Sequence, residues 1–119
     1  MNAKLLDAKL PSELKLLKTD EFSSVFSFRK RIASPTLVFH YQPNQFGYAR
    51  MGLVVSKKIA RLSTDRNYMR RVLRELFRHN QSKFKSIDFI VRPQKFFCAK
   101  NYNEIVQEFD MLVDKLSKK

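Results

Sequence analysis

The fold of this chain is decided by residues 64–80, which read TDRNYMRRVLRELFRHN. The apolar residues of this segment recur at positions i, i+3, i+4, i+7 and i+8, the spacing of one face of an α-helix. They are Met69, Val72, Leu73, Leu76 and Phe77. Because a single stripe of this kind packs against a core, the segment predicts a helix with one buried side and one side in solvent.

The solvent side of this predicted helix carries a row of arginines four residues apart. The row consists of Arg66, Arg70, Arg74 and Arg78, with Asn67 and Arg71 beside it. Charged residues on a helix usually face water with no further role, but here acidic partners four residues away are nearly absent, so the arginines repel one another. The helix dipole also disfavours a cation such as Arg66 in the first turn. Because the guanidinium fork suits phosphate oxygens, the row favours a polyanion-binding surface.

The whole chain is basic, with 24 Lys and Arg against 11 Asp and Glu and a net charge of +13. Eleven basic residues lie from Arg50 to Lys85, where only Asp65 and Glu75 oppose them. Residues 103–116, by contrast, carry more acidic than basic residues. Such a one-sided field attracts nucleic acid first, and anionic membranes or acidic proteins after it. A hydrophobic content of 44% argues against disorder, so the charge is expected on the outside of a folded domain.

The other elements are predicted from apolar spacing and turn residues. A helix is expected over residues 19–31, with Phe22, Val25 and Phe26 in one stripe. Strands are expected over 36–42, 48–56 and 87–91, and a final helix over 103–116. Gly52 predicts a close backbone approach within the second strand. The order of elements predicts one α/β domain over residues 12–119, preceded by a frayed N-terminus at residues 1–11.

The sequence also indicates a compartment. No stretch approaches the roughly 18 apolar residues of a membrane span, and Lys4, Asp7 and Lys9 interrupt the first ten residues, so no secretory signal is expected. Cys98 is the single cysteine and by itself can form neither an internal disulfide nor a structural zinc site. We therefore expect a reduced, cytoplasmic protein.

Several other classes of protein share part of this pattern. A self-sufficient nuclease would need acids clustered around a metal or a general base, but Asp65, Glu75 and Asp88 are scattered, so no catalytic or metal-binding residue is assigned. A helix-turn-helix DNA binder would place helices on both sides of the arginine helix, where strands are predicted, so DNA is not an expected partner. A membrane partner is not expected either, because the core uses the apolar stripe. A ribosomal or other structured-RNA-binding protein shares the charge pattern and remains an alternative.

Two neighbouring segments resemble the most characteristic part of the bacterial ribonuclease P protein family. Residues 51–58, MGLVVSKK, are similar to its Gly-Leu strand that ends in a Lys-Lys pair, and residues 65–75, DRNYMRRVLRE, to the helix that opens with Arg-Asn-Arg. Residues 20–26 and 88–91 are similar to the family's first helix and last strand, so the resemblance covers roughly residues 14–115. At the third position of the Arg-Asn-Arg signature this chain has Tyr68, which carries no charge. Arg70 and Arg71 can supply part of the positive charge that is missing there.

The resemblance implies an accessory subunit of an endoribonuclease, ribonuclease P, whose active site lies in its RNA. The implied partners are ribonuclease P RNA and precursor tRNA, whose 5′ leader is removed with Mg²⁺ bound mainly by the RNA. The implied fold is a small α/β sandwich, ribosomal protein S5 domain 2-like, with a mostly antiparallel four-stranded sheet and a left-handed βαβ crossover. By matching positions, the residues facing the catalytic RNA are Lys57, Lys58, Arg61, Arg66, Asn67, Arg70, Arg71 and Arg74.

The resemblance also implies a cleft between the first helix and the sheet that holds the single-stranded leader. Its residues here would be Phe22, Phe26, His40, Arg92 and Lys95, with Lys57 and Lys58 along the path. Bases of a single strand stack on aromatic faces while nearby cations hold the backbone. By residue pattern alone Phe22 and Phe26 are core residues and His40 is an ordinary half-buried residue, so the cleft rests on the resemblance.

Overall fold

The computed structural model describes residues 17–117, which form three helices and a four-stranded sheet. A 3₁₀ turn at Thr19–Glu21 leads into helix α1 at Phe22–Phe28. The other elements are β1 at Lys30–Ala33, β2 at Leu37–Pro43, β3 at Arg50–Leu53, α2 at Ser63–Asn80, β4 at Ile87–Pro93 and α3 at Tyr102–Ser117. Residues 1–11, where a frayed N-terminus is predicted, lie outside the described residues.

The strand order of the sheet is β1-β2-β4-β3. β1 pairs antiparallel with β2, and β2 antiparallel with β4, whereas β3 runs parallel to β4. Parallel neighbours need a crossover connection, and α2 supplies it between β3 and β4. The predicted α+β fold with a mostly antiparallel four-stranded sheet is therefore confirmed; the left-handed sense of the crossover stays a prediction.

The two faces of the sheet carry cores of different size. Phe39, Phe89 and Val91 belong to the larger core, under α2 and α3, which also contains the predicted apolar stripe of α2. Ile90 lies between Phe89 and Val91 in β4, so its side chain points to the opposite face. There it packs with Val25 of α1 in a smaller core. Residues 17–117 thus form three layers, with α1 as the helix on one face of the sheet and α2 and α3 on the other.

The predicted helix over residues 19–31 is wrong at its C-terminal end. α1 ends at Phe28, because Arg29 adopts a left-handed conformation with φ of 65°. The chain then enters β1, a strand that the sequence did not predict, in which Ile32 pairs with Phe39 and packs on the larger core. Because α1 ends at Phe28, the basic residues that follow it form β1, a strand at one edge of the sheet.

The predicted strand over residues 48–56 is too long. The regular strand β3 covers only Arg50–Leu53, although the Val54 N–H still donates a hydrogen bond to the Val91 carbonyl at 3.1 Å. Helices α2 and α3 begin within one residue of their predicted starts and carry the predicted buried stripes. Among residues 17–117, no helix is long and apolar enough to cross a bilayer.

Gly52 makes the predicted close approach, and the group that approaches is the ring of Phe22. A Cβ atom at position 52 would lie 2.6 Å from Phe22 Cε1 and 2.7 Å from Cζ, closer than atoms can pack. The missing side chain therefore lets α1 lie directly on the sheet. This contact fixes where the first turn of α1 sits relative to β3.

Candidate nucleic-acid interface

The middle of the α2 arginine row faces solvent without internal ion pairs. Arg71 and Arg74 are exposed and Arg70 is half-buried. Within the described part of the chain none of these three arginines forms an ion pair; Arg70 Nη1 donates a hydrogen bond to Asn67 Oδ1 at 3.1 Å. Their charges are therefore available to an anionic ligand.

The two ends of the row are engaged within the protein. Arg66 Nη1 donates to the carbonyls of Ala60 at 2.9 Å and Arg61 at 3.0 Å, and so ties the preceding loop to the first turn of α2. Arg78 pairs with Glu75, its Nε donating to Oε1 at 2.9 Å. The surface for a large anion is thus centred on Arg70, Arg71 and Arg74.

The loop from residue 54 to 62 extends this basic surface at the N-terminal end of α2. Lys57, Lys58 and Arg61 are all exposed and form no ion pair within residues 17–117. Because Arg66 binds the carbonyls of this loop, the loop is held against the helix that carries the other arginines. The residues predicted to meet the catalytic RNA therefore lie on one continuous part of the molecule. Arg66 also has a structural role there, because its hydrogen bonds join the loop to α2.

The arginine surface adjoins the first turn of α1. A cavity of about 200 Å³ is lined by Arg70 and Arg74 from α2, Phe22 from α1 and residues 51–53 of β3, together with Leu17 and Thr19. Phe22 is half-buried and packs on the smaller core, so it is both a core residue and a wall of this cavity. One turn of helix separates it from Phe26, which leads to the next cavity.

The second cavity, of about 340 Å³, lies at the C-terminal end of α1 and is lined by Phe26, Arg29, Arg31 and His40. The rings of Phe26 and His40 meet edge to face, with centroids 4.8 Å apart. Phe26 is 38% exposed, a large apolar surface left in contact with water. Of the predicted cleft residues, Phe26 and His40 are thus brought together. Arg29 and Arg31, which join them, were not predicted.

The surroundings of His40 disfavour its protonated form. Its partial burial, followed by the charges of Arg92 and Arg31, lowers its pKa from the ordinary value. Arg92 Nε donates to His40 Nε2 at 3.4 Å, so Nε2 is the accepting nitrogen and Arg92 is held beside the cleft as predicted. The positive charge around this cavity therefore comes from Arg29, Arg31 and Arg92, and His40 contributes a polar ring.

Lys95 is not brought together with the other predicted cleft residues. It lines a different cavity, between the end of β4 and helix α3, together with Phe96, Glu104, Glu108 and Met111. Gln94 explains this placement, because its N–H donates to the Thr36 carbonyl at 2.7 Å and keeps the chain beside β2 until it turns towards α3.

Arg50 was counted with the basic surface, and the structure corrects this. Its Nε and Nη2 donate to the two carboxylate oxygens of Asp88 at 2.9 and 2.8 Å, and its Nη1 donates to Glu21 at 3.0 Å. The guanidinium also lies 4.3 Å above the ring of Phe46. The hydrogen bonds to Asp88, and then those to Glu21, raise the pKa of Arg50 above its ordinary value. Arg50 is therefore an internal link that joins β3, β4 and the turn before α1.

Glu21 is prepared for this link by the turn that begins α1. Its Oε1 accepts a hydrogen bond from the Lys18 backbone N–H at 2.8 Å, and this bond, ahead of the one from Arg50, lowers the pKa of Glu21. Among residues 17–117, the His, Cys, Asp and Glu side chains form no group of three that could hold a metal ion.

These features define a small, basic α+β domain with an arginine surface on α2 and aromatic, cationic cavities along α1. A family model described as Ribonuclease P matches residues 10–117 of the chain. The chain therefore belongs to the ribonuclease P protein family.

Relatives and solved structures agree with this membership. The "Ribonuclease P protein component" of Chromobacterium violaceum is 41% identical over 104 residues, which cover 87% of this chain and 86% of that protein. The protein of the same name from Aromatoleum aromaticum is 39% identical and covers 73% of each chain. The ribonuclease P protein of Thermotoga maritima superposes with a TM-score of 0.65 at 27% identity, over 88% of this chain and 97% of that one. A Staphylococcus aureus ribonuclease P protein, 23% identical, shares the fold with a TM-score of 0.73 over 87% and 96%.

Membership supports the role of a protein subunit of ribonuclease P, an endoribonuclease of tRNA processing, and association with ribonuclease P RNA.

Proposed function

We propose that this chain binds the catalytic RNA of ribonuclease P through the α2 arginine surface and holds the 5′ leader of precursor tRNA along α1. The observation that carries the proposal is the group Arg70, Arg71 and Arg74, which forms no ion pair within residues 17–117 and adjoins the cavity beside Phe22. Arginines that repel one another in the free protein are stabilised when phosphates lie between them. The RNA would therefore gain affinity from a surface that is unfavourable when it is empty.

The α1 cavities suit a single strand better than a duplex. Phe26 offers an exposed ring, and Arg29 and Arg31 supply cations within the same cavity, so a base can stack while its phosphate is held. At the other end of α1, Phe22 lies beside Arg70 and Arg74. A strand that follows α1 would thus run away from the surface proposed for the catalytic RNA.

The proposal assigns bond cleavage to the RNA and Mg²⁺ to sites mainly on the RNA. Four acids of the described domain are engaged in other contacts: Asp88 and Glu21 bind Arg50, Glu75 binds Arg78, and Glu108 accepts hydrogen bonds from Ser34 and Thr36. These four residues do not form a metal site, and the His, Cys, Asp and Glu side chains of residues 17–117 offer no group of three that could hold a metal ion. The protein would act in the cytoplasm by binding and positioning.

The direct test is reconstitution with a bacterial ribonuclease P RNA at physiological salt. We expect cleavage of precursor tRNA at the mature 5′ end only when the RNA is present, and faster cleavage when the protein is added. Cleavage by the protein alone would contradict the assignment of chemistry to the RNA. Copurification with ribosomal RNA, in place of one RNA of the ribonuclease P type, would favour the structured-RNA alternative.

Phe26→Ala tests the leader cleft, by which we mean the cavity lined by Phe26, Arg29, Arg31 and His40. Loss of one stacked base should weaken binding of precursor tRNA to the holoenzyme by about 1–3 kcal/mol, roughly 5- to 150-fold, and leave binding of mature tRNA unchanged. Phe22→Ala should act in the same direction, but Phe22 also packs on the smaller core. Phe96→Ala is the matched control, because Phe96 is also exposed but lines the cavity beside α3. Equal losses for precursor and mature tRNA would return Phe26 to a structural role.

A further inference from the structure

A third aromatic cavity lies across β1 from the leader cleft. It measures about 460 Å³ and is lined by the rings of Phe28, Tyr41 and Phe84 and by Lys30 and Lys85; Pro43, Ile87 and Leu116 are also among its lining residues. Phe28 is 45% exposed, and both lysines are exposed. We call this cavity the β1 groove.

The register of β1 separates the β1 groove from the leader cleft. Lys30 pairs with Tyr41, and Arg31 pairs with His40. Successive residues of a strand point to opposite faces of the sheet, so Lys30 joins the β1 groove while Arg31 joins the leader cleft. β1 is the outermost strand of the sheet, and Arg29, Lys30 and Arg31 therefore place positive charge on both sides of one open edge.

The chemistry of the β1 groove is that of a site for a base with its phosphate. Aromatic rings give stacking surfaces, and Lys30 and Lys85 form no ion pair within residues 17–117, so their charges can meet a phosphate. Phe84 already stacks on Phe89, with ring centroids 4.6 Å apart, which holds one wall rigid. Two cations beside apolar rings, with no acid among the lining residues, do not suit a basic peptide.

The three cavities follow one another along the chain. Phe22 lines the cavity beside the arginine surface, Phe26 lines the leader cleft, and Phe28 lines the β1 groove. A strand bound at Phe26 lies next to Arg29 and Arg31 and has only the edge of β1 to cross before it meets Lys30 and Phe28.

From this continuity we propose that the β1 groove is a further binding subsite for single-stranded RNA, which takes the part of a long leader that extends past the leader cleft. This inference rests on the proposed function, because the strand must first lie along α1. Short leaders would end in the leader cleft and long leaders would reach the groove.

The test measures the affinity of the holoenzyme for precursor tRNAs whose leaders are lengthened one nucleotide at a time. For the unchanged protein we expect a second gain in affinity, roughly 5-fold or more, once the leader reaches the groove. Phe28→Ala with Lys30→Glu should remove this second gain and keep the first. Phe96→Ala with Lys100→Glu makes the same chemical changes on exposed residues elsewhere and should keep both gains. Urea unfolding of both variants checks that these exposed substitutions leave the fold unchanged.

The outcomes separate this inference from the function on which it rests. If Phe26→Ala weakens leader binding and the groove variant matches the unchanged protein at every length, the subsite is disproved and the leader cleft stands. If leader length has no effect at all, the proposed leader function fails. Photo-crosslinking from single leader positions supplies a second measurement. Cross-links from distal leader nucleotides to the β1 groove support the subsite, whereas cross-links from those nucleotides only to the catalytic RNA or to other surfaces of the protein overturn it.

Discussion

Replacing Asp88 with alanine is expected to lower the free energy of unfolding by about 3 kcal/mol, a large share of the roughly 5–15 kcal/mol that holds a domain of this kind together. Asp88 is 4% exposed and accepts two hydrogen bonds from the guanidinium of Arg50. It also accepts one from Asn44 Nδ2 at 2.7 Å. The alanine variant would leave the Arg50 charge and the Asn44 amide without this partner in a poorly solvated place.

Urea unfolding at neutral pH measures this loss, with Asp114→Ala as the control. Asp114 is exposed on α3, so its replacement should change the stability by no more than about 0.5 kcal/mol. Asp88→Asn should fall between the two, because the amide keeps one oxygen acceptor but not the charge. A stability for Asp88→Ala equal to that of the control would show that Arg50 finds an equivalent partner in water or in Glu21 alone.

Reversing two charges on α2, with Arg70→Glu and Arg74→Glu together, should weaken binding to ribonuclease P RNA by about 100-fold or more. A hydrogen bond to a charged group contributes about 1.5–3 kcal/mol, and two such contacts would be lost and replaced by repulsion. The salt dependence of binding reports lost phosphate contacts more directly than the affinity does. Because each phosphate contact contributes about 0.9 to the slope of log K against log salt, that slope should fall by nearly two.

The control for this variant carries the same change in net charge on another surface. Lys100→Glu with Lys115→Glu alters two exposed residues on the α3 side of the domain, away from α2. This control variant should lose only the long-range part of its attraction to the RNA and keep most of the slope of log K against log salt. An Arg70→Glu, Arg74→Glu variant that binds the RNA as well as this control does would exclude α2 as the RNA surface.

Helices α2 and α3 and strands β2, β3 and β4 could be predicted because their signals are local. The apolar stripes of α2 and α3 lie within single stretches of sequence, and both are buried as predicted. β1 was missed because residues 30–33 hold only one large apolar residue, Ile32. Moreover, the helix before β1 ends at Arg29, a residue other than glycine in a left-handed conformation. The spacing of apolar residues in α1 does not predict that the helix ends at Phe28.

The parts of the site that escaped prediction depend on residues far apart in the sequence. Arg50 reads as a surface cation until the fold brings Asp88 and Glu21, which are 38 and 29 residues away, to its two sides. Arg29 and Arg31 were not assigned to the cleft because only the pairing of Arg31 with His40 brings β1 to it. Phe26 and His40, which the resemblance assigned to one cleft, lie in contact with each other, whereas Lys95 lines a different cavity.

The cationic edge at β1 has a consequence for the free protein. Exposed outer strands are templates on which copies of a protein pair and aggregate, and lysine on such strands is a common protection. Two copies meeting at β1 would bring Arg29, Lys30 and Arg31 of one against the same three residues of the other. That repulsion should keep newly made protein monomeric and soluble until it meets its RNA.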